Sequence, residues 1–184
     1  MTNSEPDLPP GSVRTERLLL RPFTLDDLPA YVRIRDEPSV RDWLRSPDEP
    51  AAIIAERSLR HFMDEWRLRG YGPWAVVDRR TGELLGHHGL RYMPDFDGET
   101  EVLYTLSERV RRQGIGVEAG RAALAYGFGR LGLGRVMAIT LHDNLASRGV
   151  MERLGMTYRR DATHRGLPVV YYAIDRAEWQ RQAA

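Results

Sequence analysis

The segment VLYTLSERVRRQGIGVEAGRAALAYGF, residues 102–128, constrains the fold more than any other part of the chain. An apolar run with strand character feeds a loop of arginines, a glutamine and glycines. That loop feeds directly into a helix whose one face is Val117, Gly120, Ala123, Leu124, Gly127 and Phe128. Several of these are small, so the helix can lie close against a sheet. Exposed N–H groups at a helix start, with glycine permitting close backbone approach, form an anion site suited to a pyrophosphate. Arg111 and Arg112 add charge there. Taken alone, Gly114-Ile-Gly116 fits a solvated connection equally well.

The patterning around this junction alternates strands and helices. RLLLRPF (Arg17 to Phe23) reads as a strand, and Thr24 with Asp27 has capping-box spacing for a helix reaching about Arg35. Pro50 opens a second helix with Ile54, Leu59, Phe62, Met63 and Trp66 on an approximate stripe, ended by Gly70. WAVVD, ELLGHHGL and TEVLYTL form a three-strand meander, turned at Arg79 to Gly82 and at MPDFDGE. Beyond the small-residue helix, RVMAITL is a strand, NLASRGVMERLG a short helix, and MTYRRDA with VVYYAID a hairpin around His164-Arg165-Gly166. The expectation is one mixed sheet with helices on both faces.

With 184 residues the chain fits one domain, and residues 1–13, polar with proline and glycine, read as a flexible arm before a domain over 14–184. It has no Cys, which excludes disulfides, thiolate nucleophiles and Cys-based metal sites. All 27 basic residues are Arg, so neither a Schiff-base lysine nor a Walker A lysine is present. A net charge of +1 argues against nucleic acid as partner. No apolar run reaches the roughly 20 residues of a membrane span, and residues 1–13 lack a signal pattern, so a cytoplasmic protein is expected.

Gly114-Ile-Gly116-Val-Glu-Ala119 also fits a dinucleotide fingerprint, with Asp143 ending the next strand. This NAD(P) reading leaves only about forty residues after Asp143 for the rest of a doubly wound sheet. Arg111-Arg-Gln-Gly114-Ile-Gly116 instead resembles the R/Q-x-x-G-x-G/A acetyl-CoA loop of the GCN5-related N-acetyltransferase (GNAT) superfamily. The likeness runs from about Arg14 to Trp179 and is greatest to the RimJ/RimL-like ribosomal-protein N-terminal acetyltransferase branch. RTERLLLRPFTLDDLPAY is similar to that branch's opening strand and helix. Glu101-Val-Leu-Tyr104, Glu118-Ala119, Asn144-Leu-Ala-Ser147 and Leu154-Gly155-Met156 match further motifs. Arg112 stands where Gly is frequent, and Ser107-Glu108 replaces an Asp-Pro.

The resemblance implies an α/β (α+β) single-domain GNAT fold, with a mixed, mostly antiparallel sheet of about seven strands and a splayed strand pair binding CoA. It implies direct acetyl transfer from acetyl-CoA to a primary amine, on a protein N-terminus or a small molecule. Leu106, Arg111, Arg112, Gln113, Gly114, Ile115, Gly116 and Asn144 would contact the cosubstrate. Glu101 would take the amine's proton, directly or through water, and Ser147 would support the departing thiolate. Read without the resemblance, Glu101 is a solvated glutamate at a strand start and Asn144 a helix cap. Tyr104 and Tyr172 stand as other proton donors or as core aromatics. DFDGETE places four acids near one another, but Leu106 occupies the position of a calcium loop's bidentate Glu, and no metal is expected. His87 and His88 face opposite ways and cannot share one metal. A non-catalytic acyl-CoA sensor would keep the same loop, and a homodimer is compatible with the sequence.

Overall fold

A computed structural model describes residues 8–44 and 49–183. Its strands are β1 (Val13–Arg14), β2 (Leu18–Arg21), β3 (Pro73–Asp78), β4 (Leu84–Met93), β5 (Glu99–Leu106), β6 (Arg135–Leu141), β7 (Thr157–His164) and β8 (Leu167–Asp175). The helices are α1 (Leu28–Asp36), α2 (Pro38–Leu44), α3 (Ala51–Arg69), α4 (Ile115–Ala125), α5 (Leu145–Arg153) and α6 (Arg176–Ala183). One sheet holds all eight strands in the order β1-β2-β3-β4-β5-β6-β8-β7. Neighbours run antiparallel except β5 and β6, which are parallel.

Alternation along the strands sends side chains into two cores. On one face Leu18, Leu20, Trp74, Leu90, Val102, Val136 and Tyr172 pack against Ile115, Ala119, Ala123 and Leu124 of α4 and Met151 of α5. On the other, Ala75, Val77 and Leu84 meet Tyr31 and Ile34 of α1 and Ala55, Leu59 and Phe62 of α3. A fully buried leucine such as Leu18 or Leu59 contributes about 1.5–3 kcal/mol to holding these layers together. The small residues of α4 have a measurable purpose. A Cβ on Gly120 would lie 2.6 Å from Leu154 Cδ1, so glycine lets α4 pack against the residue that ends α5 without that side chain shifting.

The meander and the proline-led α3, closed by left-handed Gly70 (φ 71°), lie where their patterns place them. The Thr24 and Asp27 capping box is formed, and it opens a single 3-10 turn, Leu25–Asp27, before α1 begins. The sheet has eight strands rather than about seven because Val13 pairs with Leu20. Of the expected arm, residues 1–7 lie outside the described residues, while the Gly11 carbonyl accepts the Trp74 indole N–H at 2.9 Å. Two helices went unanticipated. α2 is a seven-residue turn held by buried Val40, and α6 is polar, with Trp179 alone leaning on Phe128 at 6.0 Å. Trp74 is wholly buried in the core, whereas Trp43 on α2 is 41% exposed.

Candidate active site

β5 and β6 share a single register pair, Glu101 against Met137. On their outer sides pairing continues, β4 following β5 to Leu106 and β8 following β6 to Leu141. Beyond Glu101 and Met137 the two strands no longer pair with each other, and they diverge into a V. Backbone donors and acceptors left bare along such edges can take an extended ligand as an added strand.

Glu101 closes the narrow end of that V. It is not the solvated glutamate that strand position alone suggests, for it is 3% exposed. Arg91 lies directly opposite on β4 and binds its Oε2 through Nε at 3.0 Å and through Nη2. The Ile139 backbone N–H also donates to the carboxylate. Burial nonetheless outweighs these partners and raises the Glu101 pKa above the usual carboxylate range. Both Arg91 contacts fall on Oε2, which leaves Oε1 outside the ion pair.

At the wide end, Gly114 caps α4 in the left-handed region (φ 78°), and Arg112 shares that conformation at φ 60°. Glycine would adopt the Arg112 conformation without the strain that a Cβ brings. Among the described residues, the N–H groups from Arg112 to Val117 have no acceptor in the protein. The Arg111 N–H goes to Glu108 and the Glu118 N–H returns to Gly114. A run of unclaimed donors on a helix start fits a polyphosphate. Ile115 buries its side chain in the core and so offers only backbone, whereas Arg111, Arg112 and Gln113 are exposed. Leu106 lies beside Gly116, 3.7 Å from where a Cβ would stand.

The loop is shaped by contacts that the Glu118-Ala119 motif does not reveal in sequence. Glu118 in the first turn of α4 accepts from Thr15 Oγ1 (2.5 Å), Arg17 N (2.8 Å) and Arg17 Nε (2.6 Å), and Arg17 Nη1 reaches the Gln113 carbonyl at 2.8 Å. Burial pushes the Glu118 pKa up, but these donors reverse that and hold it below the usual range.

Across the V, Asn144 caps α5 through its Oδ1, which accepts the Ser147 N–H at 3.1 Å. The cap uses only that oxygen, so its amide NH2 stays free for a ligand. Tyr104 on β5 donates to Ser147 Oγ at 3.2 Å. The Tyr104 ring stacks on His88, centroids 5.2 Å apart and planes 12° from parallel. His88 is wholly buried, and burial pushes its pKa down to about 3, so it packs as a neutral ring. Tyr172 is engaged elsewhere, accepting from Arg148 and donating to Glu152, each at 3.2 Å. The acids of DFDGETE disperse, Glu99 taking the Tyr171 hydroxyl at 2.5 Å and Glu101 taking Arg91.

A bare V between parallel strands, an unclaimed donor run on the following helix and a buried glutamate between them can be set beside known proteins. The model of the acetyltransferase (GNAT) domain matches residues 17–157. The chain belongs to the GNAT acetyltransferase family. A Bacillus subtilis protein named Uncharacterized N-acetyltransferase YnaD is 26% identical over 175 residues, covering 91% of this chain and 98% of the relative. The Aspergillus fumigatus FsC-acetyl coenzyme A-N(2)-transacetylase is 32% identical over 127 residues, covering 61% of this chain and 53% of that one. An acetyltransferase from Agrobacterium tumefaciens superposes with a TM-score of 0.79 at 27% identity, over 95% of this chain and 98% of its own. The ribosomal-protein-S5-alanine acetyltransferase of Vibrio fischeri shares the fold, with a TM-score of 0.71 at 17% identity over 91% of this chain and 98% of its own.

Ser107-Glu108, which the sequence resemblance sets against an Asp-Pro, has a structural reason in this GNAT protein. The Glu37 carboxylate, just past the end of α1, accepts the Ser107 hydroxyl and the Glu108 N–H, both at 2.6 Å. An Asp at 107 would set a second carboxylate against Glu37, and a Pro at 108 would have no N–H to give. In this GNAT chain the helices α1 and α2 are thus tied to the segment that leads into the anion-binding loop. Ser39 adds a bond to Glu108 at 2.7 Å. No single sequence feature marks Glu37, whereas Arg91 follows from the register of β4 on β5.

Proposed function

We propose that the protein transfers an acetyl group directly from acetyl-CoA to a primary amine, on a protein N-terminus or a small molecule. One observation carries this reading: the diverging inner edges of β5 and β6 lead from the unclaimed N–H groups of Arg112 to Val117 down to Glu101. The N–H groups would hold the pyrophosphate, with Arg111, Arg112 and Gln113 around it and Leu106 beside the chain. The amide of Asn144 would reach the pantetheine arm. Glu101 would take the proton that an ammonium must lose before its nitrogen attacks the thioester carbon, and its raised pKa brings it nearer the working range of a base. As the carbon–sulfur bond breaks, CoA would leave as a thiolate held by a hydrogen bond from the Ser147 hydroxyl, and the second proton that the nitrogen sheds on becoming an amide would neutralise it. The bond from Tyr104 already occupies one Ser147 lone pair and favours that orientation.

The test is release of free CoA from acetyl-CoA across a panel of amines and N-terminal peptides, with Gly114→Val alongside. Amine-dependent release that Gly114→Val suppresses by weakening acetyl-CoA binding supports the reading. Tight acetyl-CoA binding with no release on any amine points to a sensor. A thermal shift with NAD(P) and none with CoA would replace the reading by a dinucleotide enzyme.

A further inference from the structure

The face covered by α1 and α3 holds a buried guanidinium that, among the described residues, no carboxylate pairs with. Arg35 lies in the last turn of α1, four residues beyond Tyr31, so both side chains point from the helix toward the sheet. Arg35 is 9% exposed, and its Nε has no hydrogen-bond partner. Tyr31 is fully buried, and its hydroxyl and His87 Nδ1 lie 2.8 Å apart in a hydrogen bond. His87 stands opposite Thr105 of β5, on the stretch where β5 has left β6. Arg35 also acts on the Tyr31 hydroxyl, so contacts run from Arg35 through Tyr31 to His87, beside the open part of the V.

The acids nearby are committed to other partners. Glu49, which feels the Arg35 charge, binds Arg57 at 2.6 and 2.8 Å. Asp36 pairs with Arg41 at 3.0 Å, and Glu37 holds Ser107 and Glu108. Arg91 and Glu101 neutralise each other, and burial keeps His87 uncharged. Among the described residues no carboxylate pairs with Arg35. A buried guanidinium without a counter-ion is strongly unfavourable, and its planar fork of donors suits a carboxylate.

We propose that Arg35 is an anion subsite of the acceptor pocket and that the amine acceptor carries a carboxylate. This rests on the acetyltransferase reading for the word acceptor, and on geometry for the anion. Polyamines and other purely cationic amines are then poor substrates, because they would bring a second positive charge to Arg35.

The experiment compares matched carboxylate and carboxamide acceptors. One arm uses ω-amino acids of increasing length and the other short peptides with Asp or Asn after the first residue, which separates a small-molecule carboxylate from an acidic N-terminus. Wild type should favour the carboxylate in kcat/KM by about 10- to 100-fold, the range of a hydrogen bond to a charged group. Arg35→Met should erase that ratio with the KM for acetyl-CoA unchanged, and Arg35→Lys should keep part of it. Comparing the ratio between wild type and variant cancels the differing amine pKa of acid and amide. Among the described residues Arg35→Met breaks no ion pair and gives up only the contact with the Tyr31 hydroxyl, which keeps its bond to His87, so its Tm should stay close to wild type. Calorimetry with glutarate, which has no amine to acetylate, should show binding to wild type and not to Arg35→Met.

Equal kcat/KM for carboxylate and carboxamide in wild type overturns the proposal. So does a preference that survives Arg35→Met, or a Tm that falls in Arg35→Met and marks the guanidinium as holding the fold. Arg35-dependent glutarate binding with no acetyl transfer to any amine would leave the anion subsite standing and sink the acetyltransferase reading instead.

Discussion

The two ends of the site are built from different materials. At the wide end of the V the working groups are backbone N–H donors, bare because Gly114 and Arg112 turn the chain through left-handed conformations. On the face under α1 and α3 the working groups are side chains, Arg91, Glu101, Arg35, Tyr31 and His87, all buried except the partly exposed Arg91. A backbone site depends on conformation and tolerates exchange of the side chains around it. A side-chain site in low dielectric responds to the loss of a single charge. Substitutions at the two ends should therefore fail in different ways.

The largest effect is expected at Glu101. Glu101→Gln should keep acetyl-CoA binding and lose about 10²- to 10⁴-fold in transfer to a genuine acceptor, the contribution of a positioned base. The raised Glu101 pKa places the acid limb of the wild-type pH and rate profile above the ordinary carboxylate range, since the base works only when ionised. The variant should lack that limb, and its deficit should shrink as pH rises and more amine arrives unprotonated. Parallel loss of acetyl-CoA affinity would break the separation between the two ends. Loss that is equal at every pH would reassign Glu101 to orienting the substrate.

A smaller effect, and a sharper test of the comparison, is expected at Glu37, whose carboxylate bridges the two ends. Ser107 is fully buried, and Glu37→Ala leaves its hydroxyl without an acceptor, at a cost of about 1–3 kcal/mol in unfolding free energy. The KM for acetyl-CoA and the KM for the acceptor should rise together, since both the segment after β5 and the end of α1 lose their tie. A rise in only one would show that the ends are independent despite the contact. Glu37→Gln, which still offers one acceptor oxygen, should recover part of both.

The cofactor-like end was the more legible of the two from sequence. Glycines at 114 and 116 and a helix of small residues state a backbone conformation locally, without knowledge of any distant partner. The meander, the long helix and the Asn144 cap were legible for the same reason. The side-chain end depends on register. Pairing Arg91 with Glu101 requires the β4 and β5 turn to centre on Phe96, and a slip of one residue would send Arg91 to the opposite face. Arg35 is read most naturally as a solvated cation at a helix C-terminus, where the dipole favours it. Only the packing of α1 against β4 reveals that it is buried. Glu37 and Arg17 act on residues about seventy and one hundred positions away, and no local pattern encodes such contacts.

The smallest effect is expected at Arg112, and it tests whether the wide end is made of backbone. A left-handed conformation costs a residue with a Cβ about 1–2 kcal/mol, which Arg112 bears at φ 60° and glycine would not. Glycine also makes the unfolded chain freer, which returns about 0.4–1 kcal/mol of that gain. Arg112→Gly should therefore raise unfolding free energy by about 0.5–1 kcal/mol, measured by urea titration. The exposed guanidinium adds only screened charge to the donor run, so acetyl-CoA affinity should fall slightly, with a shallower dependence on salt. If Arg112→Gly instead abolished acetyl-CoA binding as Gly114→Val is expected to do, side chains and not N–H groups would carry that end. The contrast between the two halves of the site would then collapse.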